Sequence, residues 1–278
     1  PLAMSSAASD VYKRQPPSCL DVTVLSATEI DLQFNEPLEQ ISAQDISNYT
    51  ISPFIDISQA ELDIINTSIV HLSLGEPLSN GADYTLEIQN IEDSEGNSSS
   101  IQSFNINYLI GESAEPGDVI ITEVFPDPSP SVGLPPVEFV EIFNKSNKIF
   151  DLSEWKIEDA SSDGTIQDGW LMPNSYGVLT ATANIDSFQS SYSVTSFPSL
   201  NNAEDSLKLY SSNGTLLDYV NYTDDWYQDE SKASGGYTLE RINLIDPCSD
   251  ALNWSASNAG NGGTPGIQNS IFDNTEDT

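Results

Sequence analysis

The groups in this chain best suited to chemistry are carboxylates. Glu123 lies on one apolar segment, 118–125, and Glu138 and Glu141 lie on a second, 137–144; Asp127 sits in the link between them. Hard cations such as Ca2+ take about six to eight oxygen ligands from carboxylates and loop carbonyls. Glu123, Asp127, Glu138 and Glu141 are therefore a candidate cation site. Strand side chains alternate between faces, which sends Glu138 and Glu141 to opposite sides and keeps all four from converging. The competing reading is a set of solvated carboxylates along a strand edge. A second candidate is the loop 159–168, DASSDGTIQD, in which Asp159, Ser161 and Asp163 followed by Gly164 echo the first half of a calcium loop. Its twelfth position is Trp170 rather than a bidentate glutamate, so a plain Asx and glycine turn competes with it.

Trp226, Tyr227 and Tyr222 offer an aromatic surface on which a sugar ring could stack, against the alternative that these rings fill core and rim. The single histidine, His71, stands mid-strand in SIVHLSL and reads as a strand-face residue rather than a base or ligand. No nucleophile elbow, zinc-binding helix motif, phosphate loop or paired-cysteine motif occurs. Two acids suffice for glycosidase chemistry, yet nothing singles out such a pair among 43 acidic residues. The expectation is a chain with no catalytic residues and no cofactor other than Ca2+ at the carboxylates.

Positioning these residues falls to β-structure. The 278 residues carry 43 acidic and 8 basic side chains, a formal net charge of −35. Such a surface repels phosphate backbones and anionic lipid, which argues against nucleic acid as a partner. The hydrophobic fraction of 38% and the recurring Val/Ile/Tyr/Thr alternation argue against disorder. No apolar run approaches the roughly 20 residues of a membrane span. Cys19 and Cys248 fall in different segments, and their pairing stays open on sequence alone.

Residues 1–15 contain SSAASDVYKRQ, which resembles a translated sequencing adapter and is set aside from fold reasoning; the natural start and any export signal then lie outside this sequence. Residues 16–108 read as a first domain, with strands expected over 21–26, 29–35, 48–51, 59–65, 68–74, 84–91 and 101–107. About seven short strands in about ninety residues indicate a β-sandwich. Residues 109–116, LIGESAEP, read as a linker. A second domain is expected over 117–270. It opens on the two carboxylate-bearing strands, joined by a link whose Pro126, Pro128, Pro130, Pro135 and Pro136 exclude regular pairing. Further strands are expected over 155–158, 176–182, 206–211, 216–222 and 237–242, with a loop over 159–168 and one helical turn in 225–232. The run 261–266, NGGTPG, cannot be regular structure and is expected to close the domain edge. Residues 271–278 read as a polar, disordered linker. The fold class is all-β, two tandem Ig-like β-sandwiches.

Two resemblances sharpen this. DLQFNEPLE (31–39), NYTI (48–51) and DYTLEIQNIEDSEGN (83–97) resemble the bacterial Ig-like modules of surface-layer and adhesin-like proteins. GDVIITEVF, VEFVEIFNKSNKIFDLSEWKIED, MPNSYGVL, DSLKLYSSNGTLLDYVNY, GYTLERI, NWSAS and GGTPG, in that order over about 150 residues, resemble the lamin tail domain of bacterial secreted and surface proteins. The resemblance implies an all-β fold and a non-catalytic structural or interaction role in a large exported multidomain protein, as a cell-surface stalk, display or adhesion module. It brings no catalytic residues. The partners it implies are other domains of the same protein. The rival reading is an accessory module that targets a catalytic domain to a surface polymer or glycan.

Overall fold

Alternation of Ile30, Leu32 and Phe34 with Glu29, Asp31 and Gln33 builds a strand with one buried and one wet face. The same pattern recurs through the first part of the chain. The computed structural model describes residues 15–246 and 250–273. They divide into two compact units, the first ending at Ile110 and the second starting at Gly111. The first unit contains β1 (Cys19–Ser26), β2 (Glu29–Phe34), β3 (Tyr49–Ser52), β4 (Ile57–Leu62), β5 (Ile69–Leu74), β6 (Asp83–Ile88) and β7 (Gln102–Asn107). A four-stranded sheet, β1-β2-β5-β4, and a three-stranded sheet, β3-β6-β7, enclose a core that includes Ile30, Leu32, Val70, Leu72, Leu86 and Ile88. A short helix, α1 (Gln40–Ala43), precedes β3, its first turn capped by the Glu39 carboxylate accepting from Ser42 N. Cys19 is a buried free thiol, held protonated by burial that pushes its pKa up to about 11. Cys248 lies outside the described residues.

The second unit contains β8 (Val119–Phe125), β9 (Phe139–Asn144), β10 (Phe150–Asp151), β11 (Lys156–Glu158), β12 (Asp163–Ile166), β13 (Trp170–Leu171), β14 (Tyr176–Ala181), β15 (Ser191–Thr195), β16 (Glu204–Tyr210), β17 (Leu216–Thr223), β18 (Leu239–Arg241) and β19 (Trp254–Ala256). Ten of these form one sheet in the order β17-β16-β11-β12-β15-β14-β9-β8-β18-β19, and β10 pairs with β13. The long sheet folds over its own core. Strand β17 returns to β8, where Gly117 N donates to Leu217 O at 2.8 Å and Ile121 N donates to Asp218 Oδ2 at 2.8 Å. The enclosed core includes Val119, Ile121, Val124, Val140, Ile142, Trp155, Leu207, Val220 and Trp254.

Three expectations are revised. The stretch 159–168 is the turn and second strand of a hairpin, β11–β12, rather than a free loop. Residues 111–116 pack on the second unit instead of bridging as a linker: Glu112 N donates to Ile149 O at 2.8 Å and Glu115 N to Asp118 Oδ2 at 2.9 Å. At the other end, Ile271 N and Asp273 N donate to Glu240 Oε2 and Ile242 O at 3.2 and 3.0 Å, so 271–273 are packed; 274–278 lie outside the described residues.

Candidate functional site: a buried carboxylate row

Every residue of β8 is buried, which requires cover on both of its faces. One face is the core. The other begins with a register shift. Between Ile121 and Glu123 the strand gains one residue on β9, leaving Thr122 as the extra one. The bulge reverses the alternation, so Val119, Ile121 and Val124 all reach the core while Glu123 turns to the opposite face. There Glu123 stands opposite Glu141 on β9 and opposite Glu240 on β18. Three glutamates thus lie side by side across three neighbouring strands, each 0% exposed.

Their cover is the C-terminal segment 263–271, which runs over this face as a strap rather than along the domain edge. Its backbone and hydroxyl donors meet the carboxylates one by one. Thr264 N donates to Glu123 Oε1 at 2.8 Å, Gly266 N to Glu141 Oε2 at 2.6 Å and Ile271 N to Glu240 Oε2 at 3.2 Å. Thr264 Oγ1 and Ser270 Oγ donate to Glu240 at 2.9 and 2.8 Å. From the sheet, Thr238 Oγ1 donates to Glu123 Oε1 at 2.5 Å and Thr122 Oγ1 to Glu141 Oε1 at 2.7 Å. Asn269 ties the strap to the bulge, its Nδ2 donating to Thr122 O at 2.8 Å and to Arg241 O at 2.9 Å. The glycines of NGGTPG have specific duties here. Gly262 adopts φ +100, and a Cβ on Gly263 would meet Glu123 Oε1 at 2.6 Å, Thr238 Cγ2 at 2.7 Å and Leu134 Cδ1 at 2.8 Å.

The electrostatics of the row are one-sided. The ion pairs among the described residues do not involve Glu123, Glu141 or Glu240. Burial raises the Glu123 carboxyl well above its usual range, with Glu240 adding to it. Burial likewise raises Glu141, with Glu123 and Glu240 adding to it. Among the described residues, Glu123 Oε2 is buried without a hydrogen-bond donor. Arg241 follows Glu240 in sequence but alternates to the other face, where Nη1 meets Asp218 Oδ2 at 2.9 Å. Burial lifts Asp218 even so, outweighing the pull of Arg241 in the opposite direction.

Of the residues expected to form the first cation site, the structure brings together Glu123 and Glu141 and leaves Asp127 and Glu138 elsewhere. Asp127 Oδ1 accepts from Ser129 N at 3.2 Å, and Glu138 Oε2 accepts from Leu200 N at 3.3 Å. Burial raises Glu138, with Asp127 nearby contributing. The solvated-edge alternative does not describe Glu123 or Glu141 either, since both are sealed. In the second candidate loop, Asp159 Oδ1 accepts from Ser161 N and Ser162 N at 2.6 and 2.5 Å, an Asx turn, while Asp163 pairs with Lys156 at 2.9 Å. The two carboxylates are engaged locally and do not converge. Among the described residues, no group of three or more His, Cys, Asp or Glu side chains is arranged to hold a metal ion.

The aromatic platform is not formed. Tyr222 and Tyr227 are buried, their hydroxyls donating to Asn201 O at 2.7 Å and Tyr237 O at 3.1 Å. Trp226 packs on the core beside Trp254, ring centroids 6.3 Å apart. The 3-10 turn Asp224–Tyr227 aims the aromatic pair inward and the aspartates outward. Two concave surfaces of this unit lie away from the row: one is lined by Asp224, Asp225, Asp229 and Glu230, another by Asp151, Trp155 and Asn213. Glu240 and the strap were missed by sequence reasoning. The available signal was an acid and an arginine, Glu240-Arg241, in the middle of an apolar strand, followed by a glycine-rich run that no strand could use.

In the first unit, His71 sits between Asp31 and Asp63, with Nδ1 2.6 Å from Asp31 Oδ1 and Nε2 3.2 Å from Asp63 Oδ2. The hydrogen bond to Asp31 raises the imidazole pKa above 6.5, and Asp63 adds to it. A raised histidine contributes stability below its unfolded value, and that contribution is lost as pH rises through the folded value. The ring is 40% exposed, so the effect of His71→Gln is below about 1 kcal/mol and confined to acid and neutral pH. An NMR titration of this single imidazole will place its midpoint above 6.5; a midpoint below 6.5 would contradict the clamp.

Two β-units, each around its own core, define a tandem Ig-like, all-β protein. The chain carries two known modules: residues 14–107 match the family model Bacterial Ig-like domain, and residues 112–224 match Lamin Tail Domain. Glu240 and the strap follow the matched span. Among solved structures, the N-terminal part of the bacterial S-layer protein SbsC is 11% identical, with 78% of this chain and 46% of that chain covered at a TM-score of 0.35. A DUF4876 family protein from Bacteroides thetaiotaomicron is 11% identical, with 82% and 90% covered at 0.32. An L,D-transpeptidase from Mycobacterium smegmatis is 12% identical, with 65% and 89% covered at 0.25. The chain spans less than half the length of the S-layer structure. No curated protein matches it. No helix among the described residues is long and apolar enough to cross a membrane.

Proposed function

We propose that this chain is a non-catalytic structural and interaction segment of a large exported bacterial protein, serving as a spacing or display element at the cell surface. The observation that carries this reading is the fate of its clustered carboxylates. The groups that could do chemistry together, Glu123, Glu141 and Glu240, lie sealed beneath a strap and hydrogen-bonded to it, with no opening through which a substrate reaches them. The tandem of a bacterial Ig-like domain and a lamin tail domain supports the same reading. A net charge of −35 keeps such modules apart and soluble in series. Partners are then neighbouring domains of the same protein.

Protease shaving of intact cells tests the location. Peptides of this chain are expected among those released before lysis; their recovery only after lysis would contradict a surface role. A panel of polysaccharides and wall polymers tests the rival targeting role through intrinsic fluorescence. The expected result is no change: Trp155 and Trp254 are buried and Trp226 packs on the core, which leaves the exposed Trp170 as the reporter of any polymer contact. Saturable quenching by one polymer would favour targeting over spacing.

A further inference from the structure

The carboxylate row poses a charge problem. Three glutamates in adjacent strands are fully buried with no cationic side chain paired to them. Three negative charges in a dry layer are not sustainable, so protons or a cation must compensate. The donors favour protons. Five of the six carboxylate oxygens already accept a hydrogen bond from the strap or the sheet. The sixth, Glu123 Oε2, lacks a donor and sits on the central glutamate, between the other two. A carboxyl proton there removes one of the buried charges at the atom that no donor serves.

We propose that the row Glu141–Glu123–Glu240 is a proton-operated latch, in which protons held by Glu123 and Glu141 keep the strap 263–271 seated and their loss as pH rises releases it. The groups facing the row are identifiable element by element. Strand β8 contributes Glu123, β9 contributes Glu141 and β18 contributes Glu240, while Arg241 turns away to Asp218. Strand β14 contributes Tyr176, whose pKa burial and then Glu141 push up to about 12. The strap contributes only backbone amides, hydroxyls and Asn269. The chemistry therefore has one sign throughout. Glu123 and Glu141 bind protons more tightly folded than unfolded. Their stabilising effect is complete below the ordinary glutamate value of 4.5 and declines as pH rises from there through the raised folded values. Release uncovers the face formed by β9, β8 and β18 and frees the chain that follows the strap.

Hydrogen exchange of the full chain reads this directly. Protection of the Thr264, Gly266 and Ile271 amides, corrected for intrinsic exchange, is expected to fall as pH rises from about 4.5 through about 8, by up to about tenfold per pH unit for each proton released. Amides of the first unit serve as the internal reference. Glu123→Gln puts a permanent donor where the proton sits, and is expected to flatten the pH dependence of all three amides. Glu141→Gln provides a second variant, expected to flatten it in part, should Glu123→Gln fail to fold. Strap protection that stays constant with pH in the natural chain overturns the proposal. So does a glutamine variant that lowers protection at every pH with the slope unchanged. Protection restored at alkaline pH by added calcium also overturns it, because the row would then be a cation site.

Discussion

Arg241→Ala is expected to destabilise the second unit by about 3–5 kcal/mol, the usual cost of leaving a buried charge without its partner. Arg241 is 2% exposed and holds three acceptors from separate parts of the chain. Its Nη1 donates to Asp218 Oδ2 at 2.9 Å and Ile121 O at 3.4 Å, and its Nη2 donates to Asp246 O at 3.0 Å. This is the seam where β17 comes back to β8 and the long sheet closes over its core. Removing the guanidinium leaves Asp218, already disfavoured as an anion by burial, with the Ile121 and Tyr219 amides and no positive charge. The double variant Arg241→Met with Asp218→Asn is expected to recover most of the loss, since an amide oxygen still accepts from Ile121 N and no charge is stranded. Urea unfolding followed by tryptophan fluorescence isolates the effect, because all four tryptophans lie in the second unit. A single variant within about 1 kcal/mol of the natural chain would show that the seam is held by packing alone.

Gly263→Val is expected to cost about 3 kcal/mol and to act through the strap. The added Cβ has no free direction: it meets the Glu123 carboxylate, the Thr238 methyl and Leu134 at 2.6–2.8 Å. The Glu123 oxygen cannot swing aside without breaking its bonds from Thr238 and Thr264. Overpacking of this kind costs typically about 1–3 kcal/mol, and the lost strap contacts place this site at the upper end. Exchange should quicken at Thr264 and Gly266 well before the core amides of β16 and β17 respond. Uniform loss across the unit would mean that the strap and the core unfold as one.

Much of the fold was legible because the chain obeys local rules. In the first unit the alternation of Ile30, Leu32 and Phe34, and the turns at Asn66 and Asn80-Gly81, locate seven strands to within a few residues. The second unit was harder where strands are short and polar. Ser191–Thr195 and Asp163–Ile166 have little apolar content of their own and exist because they pair with each other inside the long sheet. The candidate site was half legible. Glu123 and Glu141 stood out as acids within apolar strands, but alternation counted from Val119 puts Glu123 in the core. Only the bulge at Thr122 turns it over, and the sequence of a bulge looks like that of a strand. Glu240 and the strap come from more than a hundred residues away, with Thr238 and Glu123 separated by 115 positions. No local pattern links them. Asp127 and Glu138, near neighbours of Glu123 and Glu141 in sequence, make their contacts elsewhere, with the Ser129 and Leu200 amides.

A carboxyl-carbon NMR titration of the glutamates in the full chain decides whether the buried row holds protons. Glu123, Glu141 and Glu240 are buried acids that accept hydrogen bonds from the strap, and the latch places protons on Glu123 and Glu141. At least one of Glu123 and Glu141 is then expected to remain protonated at about pH 7, with a midpoint well above the ordinary glutamate value of 4.5. Midpoints at or below 4.5 for both Glu123 and Glu141 would mean that these carboxyls are ionised in the folded protein and that no proton holds the strap.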